Sequence, residues 1–348
     1  TRSDVGDGVQ ADTDIRIDDG AFVGIVAGDF FPIQAIDADA IMIIAAPDIS
    51  PHRDGRVALE TFAAYAGLRT RKALAGFPNE TQQEIILLYD PDIVTARHDP
   101  KGDGTSKKGS AKAPRFDGVF RLDLDVDAAP DLIRWSKPPL EAVLKTKGGR
   151  EVRLIGVHAK SKAPHGAQEG HAAYRISIEN RRKQLAQCIW LRQRIEQHLE
   201  DGDDLIVLGD LNDGPGLDDY EKLFGRSSVE IIMGEEGATR LFDPHARLAL
   251  SQRIGASPTS SRFRLPPGGR YLSAMLDYIM VSPYTSRGYG IYQELKDKFN
   301  DPEDPFEFIP AKLNALTEDG KGKVVQDSKT GFYPHAGVLS TFQYLKRY

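Results

Sequence analysis

Apolar positions along this chain fall into two rhythms. One is the short unbroken run that ends in glycine, proline or a charged residue, which predicts a strand buried in a sheet. "DADAIMIIAAPD" (37–48) is such a run leaving through proline, and "EIILLYDP" (84–91) is another. "GVFRLDLDV" (118–126) alternates with period two, and "REVRLIGVHAKS" (150–161) ends in polar groups. In "DDLIVLGDLNDGPG" (203–216) the apolar run Leu205–Leu208 meets Gly209, Asp210, Asn212 and Asp213. "AMLDYIMVSP" (274–283) and "AGVLSTFQYL" (336–345) predict the last two long strands.

The other rhythm is helical. "RVALETFAAYAGL" (56–68) repeats apolar residues at helical spacing and stops at Gly67. The stretch 171–200 places Leu185, Cys188, Ile189, Ile195 and Leu199 on one face, and "LDDYEKLFG" (217–225) reads as a short helix. Strands and helices interleave from about residue 37 onward, which predicts one α/β (α+β) domain over 1–348. Its N-terminal segment 1–36 is atypical, and polar insertions fall near 100–115 and 296–331.

Composition narrows the classes. Charged residues make up 28% and the formal charge is −6, so the molecule as a whole is not built to coat nucleic acid. No apolar run approaches the length of a transmembrane helix and no signal peptide is legible, so a soluble chain is expected. Neither compartment nor oligomeric state is specified. Residues 100–115 carry five basic residues against one acid with little apolar to pack, and predict a solvated, mobile loop. The single cysteine, Cys188, excludes an intrachain disulfide and a multi-cysteine metal site, and its place on the helical stripe predicts a packed core residue.

Polar groups gather where strands end. His158 follows "LIGV", Asp210 follows "LIVLG", Asp277 lies in "AMLDYIMV", and His335 precedes "AGVLSTF". Sheet enzymes place their chemistry at strand ends. A histidine can serve as acid, base or phosphate donor, and a neighbouring aspartate can hold its tautomer. Taken singly, Asp210, Asn212 and Asp213 read equally well as turn residues. A serine or cysteine hydrolase is disfavoured, since no G-x-S-x-G elbow occurs and Cys188 is mid-helix.

In order and spacing, "GVHAKSK" (156–162), "NRRKQLAQ" (180–187), "VLGDLND" (207–213), "LDYIMVS" (276–282) and "PHAGVLSTF" (334–342) resemble the endonuclease/exonuclease/phosphatase superfamily. "ADAIMIIAAPD" (38–48) and "WSKPPLEAV" (135–143) fit the same order. The resemblance implies a deoxyribonuclease I-like fold, a four-layer α/β/β/α sandwich of two packed mixed sheets. It also implies a metal-dependent hydrolase of phosphate esters, a phosphodiesterase or nuclease, using Mg²⁺ or Mn²⁺. Asp210 would position or deprotonate the attacking water, and Asn212 would orient it and the phosphate. His158 would contact phosphate oxygens, and His335, held by Asp277, would stabilise the developing charge. Lys160 and Arg182 are further phosphate-binding candidates. The substrate class stays open among nucleic acid, phospholipid headgroup, inositol phosphate and nucleotide.

The chain departs from the family at one metal position. The glutamate that normally ends the second strand is replaced by Ala45, and the aspartate before the last histidine by Pro334. No counterpart of the first-strand Asn is found in residues 1–20, and Asp29 stands too close to the next strand for a parallel crossover. Mg²⁺ needs hard oxygen ligands, which alanine and proline lack. Three explanations remain open: a relocated ion on Asp210 and Asn212, with Asp48 or Glu84 as substitute; an engineered change at Ala45; or a non-catalytic relative that binds phosphate or a partner.

Overall fold

The computed structural model describes residues 42–45, 54–65, 67–79, 84–104, 107–123, 130–163, 171–214, 225–235, 239–251, 259–265 and 270–282. Two sheets carry the fold. The first joins β1 (Met42–Ala45), β3 (Ile85–Tyr89) and β2 (Lys72–Ala75) in the order β1–β3–β2, antiparallel throughout.

The second is five-stranded and mixed. Its order is β12 (Asp277–Val281), β9 (Leu205–Asp210), β8 (Glu151–His158), β7 (Leu140–Thr146) and β4 (Val94–His98). Only β8 and β9 run parallel. A parallel pair needs a crossover of a dozen residues or more, and the 30-residue helix α2 (His171–Glu200) lies between these two strands. The α/β chain that the pattern predicts therefore emerges, on the two sheets that the resemblance implies.

Alternation along the strands separates the cores. Ile85 and Leu87 of β3 pack with Leu154, Ile206, Leu208 and Ile279 of the five-stranded sheet. Their neighbours Ile86 and Leu88 pack instead on Leu59 and Ala63 of α1 (Gly55–Tyr65). On the far side of the five-stranded sheet, Ile155, Val157, Val207 and Met280 meet Cys188, Trp190, Leu191 and Ile195 of α2. Strands buried on both faces read as continuous apolar runs, which is why β3 and β9 were legible.

The expectation of a solvated loop at 100–115 holds for the described residues up to Lys112, which are exposed or half-buried, and fails at Ala113 and Pro114, which are buried. Ala113 is buried in the α2 core together with Phe116 and Phe120, the latter in β5 (Phe120–Leu122), which pairs with β6 (Asp131–Ile133). Trp190 stacks on Phe120 at 5.4 Å and donates from Nε1 to the Pro114 carbonyl at 2.9 Å. Arg194 donates to the carbonyls of Ala113 and Pro114 at 2.9 and 3.0 Å. Buried backbone carbonyls need donors, and two α2 side chains supply them. The basic residues are engaged as well: Lys101 pairs with Asp201 and Asp203, and Arg115 with Asp117.

Two further strands and two further helices complete the described chain. The hairpin β10 (Ser261–Leu265) and β11 (Arg270–Ala274) leads into β12. Helix α3 (Ser228–Met233) opens with a capping box between Ser227 and Glu230, and α4 (Pro244–Ser251) follows Asp243. Residues 217–224 of the predicted helix, the strand at 336–345, and the segments 1–36 and 296–331 lie outside the described residues. No described helix is long and apolar enough to cross a membrane.

Candidate functional site

Three of the predicted residues stand in one row. The parallel register pairs His158 of β8 with Asp210 of β9, and the antiparallel register pairs Asp210 with Asp277 of β12. Side chains on a strand alternate, so these three share a face with Leu154, Leu208 and Ile279, the apolar layer between the sheets. The row is thus the polar rim of that core, reached where the apolar sequence stops. His158 Nε2 lies 3.8 Å from Asp210 Oδ2.

A close strand approach builds this rim. Gly209 adopts φ +143°, and a Cβ there would fall 1.9 Å from the Val157 carbonyl oxygen. Only glycine lets β9 come this near to β8. Beyond it the chain turns: Asn212 takes φ +50°, in the left-handed region that Asn tolerates better than most residues. Its backbone N–H donates to Asp210 Oδ1 at 2.7 Å, and its side-chain Nδ2 donates to the Ala159 carbonyl at 3.0 Å. Ala159 N–H in turn donates to the Asp210 carbonyl at 2.8 Å. Asn212 therefore holds the two strand ends together, with one amide hydrogen committed to Ala159.

Electrostatics set His158 apart. Burial, and then the charge of Lys137, push its pKa down to about 3, so the ring is neutral at neutral pH. Lys137 Nζ lies 3.3 Å from Nδ1, nearer than the Asp210 carboxylate that works in the opposite sense. Lys137 was missed as a site residue, although it lies in "WSKPPLEAV", a stretch that fitted the family order. Asp277 is fully buried, and its Oδ2 accepts from Ser260 Oγ at 2.7 Å. Ser260 had no sequence signal, because its partner arrives from another segment.

The second-tier candidates diverge. Lys160 is half-buried with its backbone N–H on Gln187 Oε1 at 2.9 Å; burial, and then Lys183, hold its ammonium below the usual lysine range. Arg182 lies 3.9 Å from Asp131 of β6. Asp213 and Asp210, three residues apart, part company. Asp213 is buried against Lys162 at 2.7 Å and Arg181 at 2.5 Å, away from the His158 row. His335, Pro334, Asp29 and Asp48 lie outside the described residues.

Among the described residues, the donor set does not fit the metal site that the resemblance implies. Among the described residues no group of three or more His, Cys, Asp or Glu side chains gathers in a way that could hold an ion. Ala45 at the end of β1 has no side-chain oxygen to offer. Glu84, one residue before the Ile85 that pairs with Ala45, belongs to no such group either.

No protein-family model matches the chain, and no curated protein sequence does. Among solved structures, the chain is similar to the human Nocturnin catalytic domain with bound sulfate anion, at 15% identity, covering 70% of this chain and 68% of that one with a TM-score of 0.35. It is also similar to an endonuclease/exonuclease/phosphatase family protein from Bacteroides thetaiotaomicron, at 14% identity over 71% of this chain and 69% of that one, TM-score 0.36. A mannosyl-6-phosphatase from the same organism matches at 15% identity over 71% and 72%, TM-score 0.34.

Proposed function

We propose that the chain is a hydrolase of phosphate esters, a phosphodiesterase or nuclease, with its site at the rim formed by β8, β9 and β12. The observation that supports this reading is the register row His158–Asp210–Asp277, with Asn212 fastened across it. In the proposed reaction a water attacks phosphorus in line with the leaving oxygen. Asp210 holds that water and accepts its proton as the new P–O bond forms. The bond to the leaving oxygen breaks, and that oxygen takes a proton from solvent.

The phosphate meets two different groups. Lys137 offers a fixed positive charge, and neutral His158 offers a ring N–H to a phosphate oxygen. Arranging donors around developing negative charge is the larger part of phosphoryl-transfer catalysis. Asp277 carries the role of holding His335, with Ser260 fixing the Asp277 carboxylate at 2.7 Å. No step is routed through a metal ion, because the described donor set does not supply one. The oxygen-free side chain of Ala45 favours one second reading, in which the same rim binds a phosphate group without cleaving it.

The test is hydrolysis of bis(p-nitrophenyl) phosphate and of a short oligonucleotide with Mg²⁺, Mn²⁺ or chelator. The parent chain is compared with Asp210→Ala and Ala45→Glu. Asp210→Ala is expected to lower kcat by about 10³-fold or more. Gain of metal-dependent activity in Ala45→Glu identifies the lost ligand. Parent and Ala45→Glu chains that are inert under every condition remove the hydrolase reading and leave phosphate binding.

A further inference from the structure

The residue after Asn212 gathers more of the molecule than any member of the row. Asp213 is 1% exposed, and each of its oxygens has two partners. Oδ1 accepts from Lys162 Nζ at 2.7 Å and from Gly214 N–H at 3.0 Å. Oδ2 accepts from Arg181 Nη1 at 2.5 Å and from the Ser228 N–H at 2.7 Å. Its carbonyl accepts from Tyr278 Oη at 3.1 Å. The loop after β8, helix α2, the start of α3 and strand β12 therefore all meet on one residue.

Arg181 is itself fully buried and passes the hold onward. Its Nη1 also donates to Gln184 Oε1 at 2.8 Å, and Gln184 Nε2 donates to the carbonyls of Leu211 and Asn212, each at 3.0 Å. Burial alone would raise the Asp213 pKa, but Lys162 and Arg181 outweigh it and keep the carboxyl ionised. A buried carboxylate with two cations and two backbone donors is fixed in direction by every bond it makes. Asn212 sits between Asp213 and Asp210 with φ +50°, a conformation that needs support from its surroundings.

We propose that Asp213 is a positioning residue: its clamp on Lys162, Arg181 and Ser228 holds the 211–214 loop so that Asn212 bridges Asp210 and Ala159. This rests on the phosphate-ester hydrolase reading for its catalytic consequence, but the clamp itself does not. Displacing a positioned group by about 1 Å costs on the order of 10²-fold in rate. The loss belongs in kcat, because Asp213 touches no substrate.

The experiment compares Asp213→Asn and Lys162→Met with Asp243→Asn, a buried carboxylate that accepts from the backbone N–H groups of His245, Ala246 and Ile279. For the parent and each variant the melting temperature is determined, and kcat and KM for bis(p-nitrophenyl) phosphate and backbone amide exchange are then measured well below it. Asp213→Asn is expected to lower kcat by about 10- to 100-fold with KM within about 2-fold. Exchange at Asn212 and Ala159 should rise by about 10-fold or more while Leu208 is unchanged. Asp243→Asn should lose stability and keep kcat. The proposal is overturned if Asn212 exchange stays at the parent rate, or if kcat follows melting temperature equally in both variants. A parent chain without hydrolytic activity removes the hydrolase reading, and the exchange at Asn212 still decides the clamp.

Discussion

Gly209 shows how much one residue decides. Its missing side chain admits β8 to within a distance that any Cβ would block, and the atoms in the way are the Val157 carbonyl, carbon and nitrogen, at 1.9, 2.7 and 2.9 Å. Backbone atoms cannot rotate aside as a side-chain tip can. Gly209→Ala is therefore expected to destabilise the chain by on the order of 3–5 kcal/mol, read from urea unfolding. A variant within about 1 kcal/mol of the parent would show that the strands can separate there without penalty. Because Gly209 sits between Leu208 and Asp210, the same change should also displace the row. At this scale the site was legible where chemistry and strand ends coincide: His158, Asp210 and Asp277 were picked out by their place after or within apolar runs. Lys137, Lys162 and Arg181 were not, since a basic residue reads as solvated until the fold supplies its carboxylate or imidazole. Asp213 was visible as part of the cluster but not as a residue turned the other way.

At the scale of elements, α2 departs most from its amphipathic pattern. The sequence predicts the helix over 171–200, and the structure gives His171–Glu200. Yet Arg181, Gln184, Gln187, Arg194 and His198 are buried beside Trp190 and Leu191, so polar positions are inside as well as the apolar stripe. Periodicity cannot reveal this, because the partners of those polar groups come from segments up to 81 residues away. Arg194 is the clearest case: it satisfies the Ala113 and Pro114 carbonyls, lies 3.7 Å from Glu141, and stacks 5.5 Å over Phe116. Arg194→Met keeps the aliphatic bulk but leaves two carbonyls and a buried carboxylate without that cation. We expect a loss of about 3 kcal/mol. The segment 107–123 should then become accessible to limited proteolysis before the sheets unfold. Cleavage there no faster than in the parent would mean that Trp190 and the aromatic cluster suffice to hold it.

For the whole molecule, the central strands were legible because they are buried on both faces and read as unbroken apolar runs, whereas their division into two sheets was implied only by the family resemblance. β2, β4 and β6 escaped because "KALA", "VTARH" and "DLI" are short and half-exposed, and β7 because Glu141 interrupts "LEAVLKT". The same burial gives the fold a pH dependence whose sign can be worked out. Burial, with Lys137 for His158, depresses His158 to about 3 and His245 to about 4 from the ordinary 6.5. Each contributes stability that is whole above pH 6.5 and is lost as the unfolded chain, but not the folded one, takes up a proton. Asp213, held ionised by Lys162 and Arg181 against its burial, adds a loss at lower pH in the same direction. Asp243 opposes them. Burial raises it to about 6 from 3.8 against three backbone donors, so its contribution is whole below 3.8 and is lost as pH rises through 6. Between about pH 4 and 6 two histidines outweigh one aspartate, and the melting temperature should be lower at pH 4.5 than at pH 7. Asp243→Asn removes the opposing group, so its melting temperature should fall more steeply with acid than the parent's. A parent melting temperature that is level or higher at pH 4.5, or a variant with the shallower slope, would mean that the buried histidines are not held neutral.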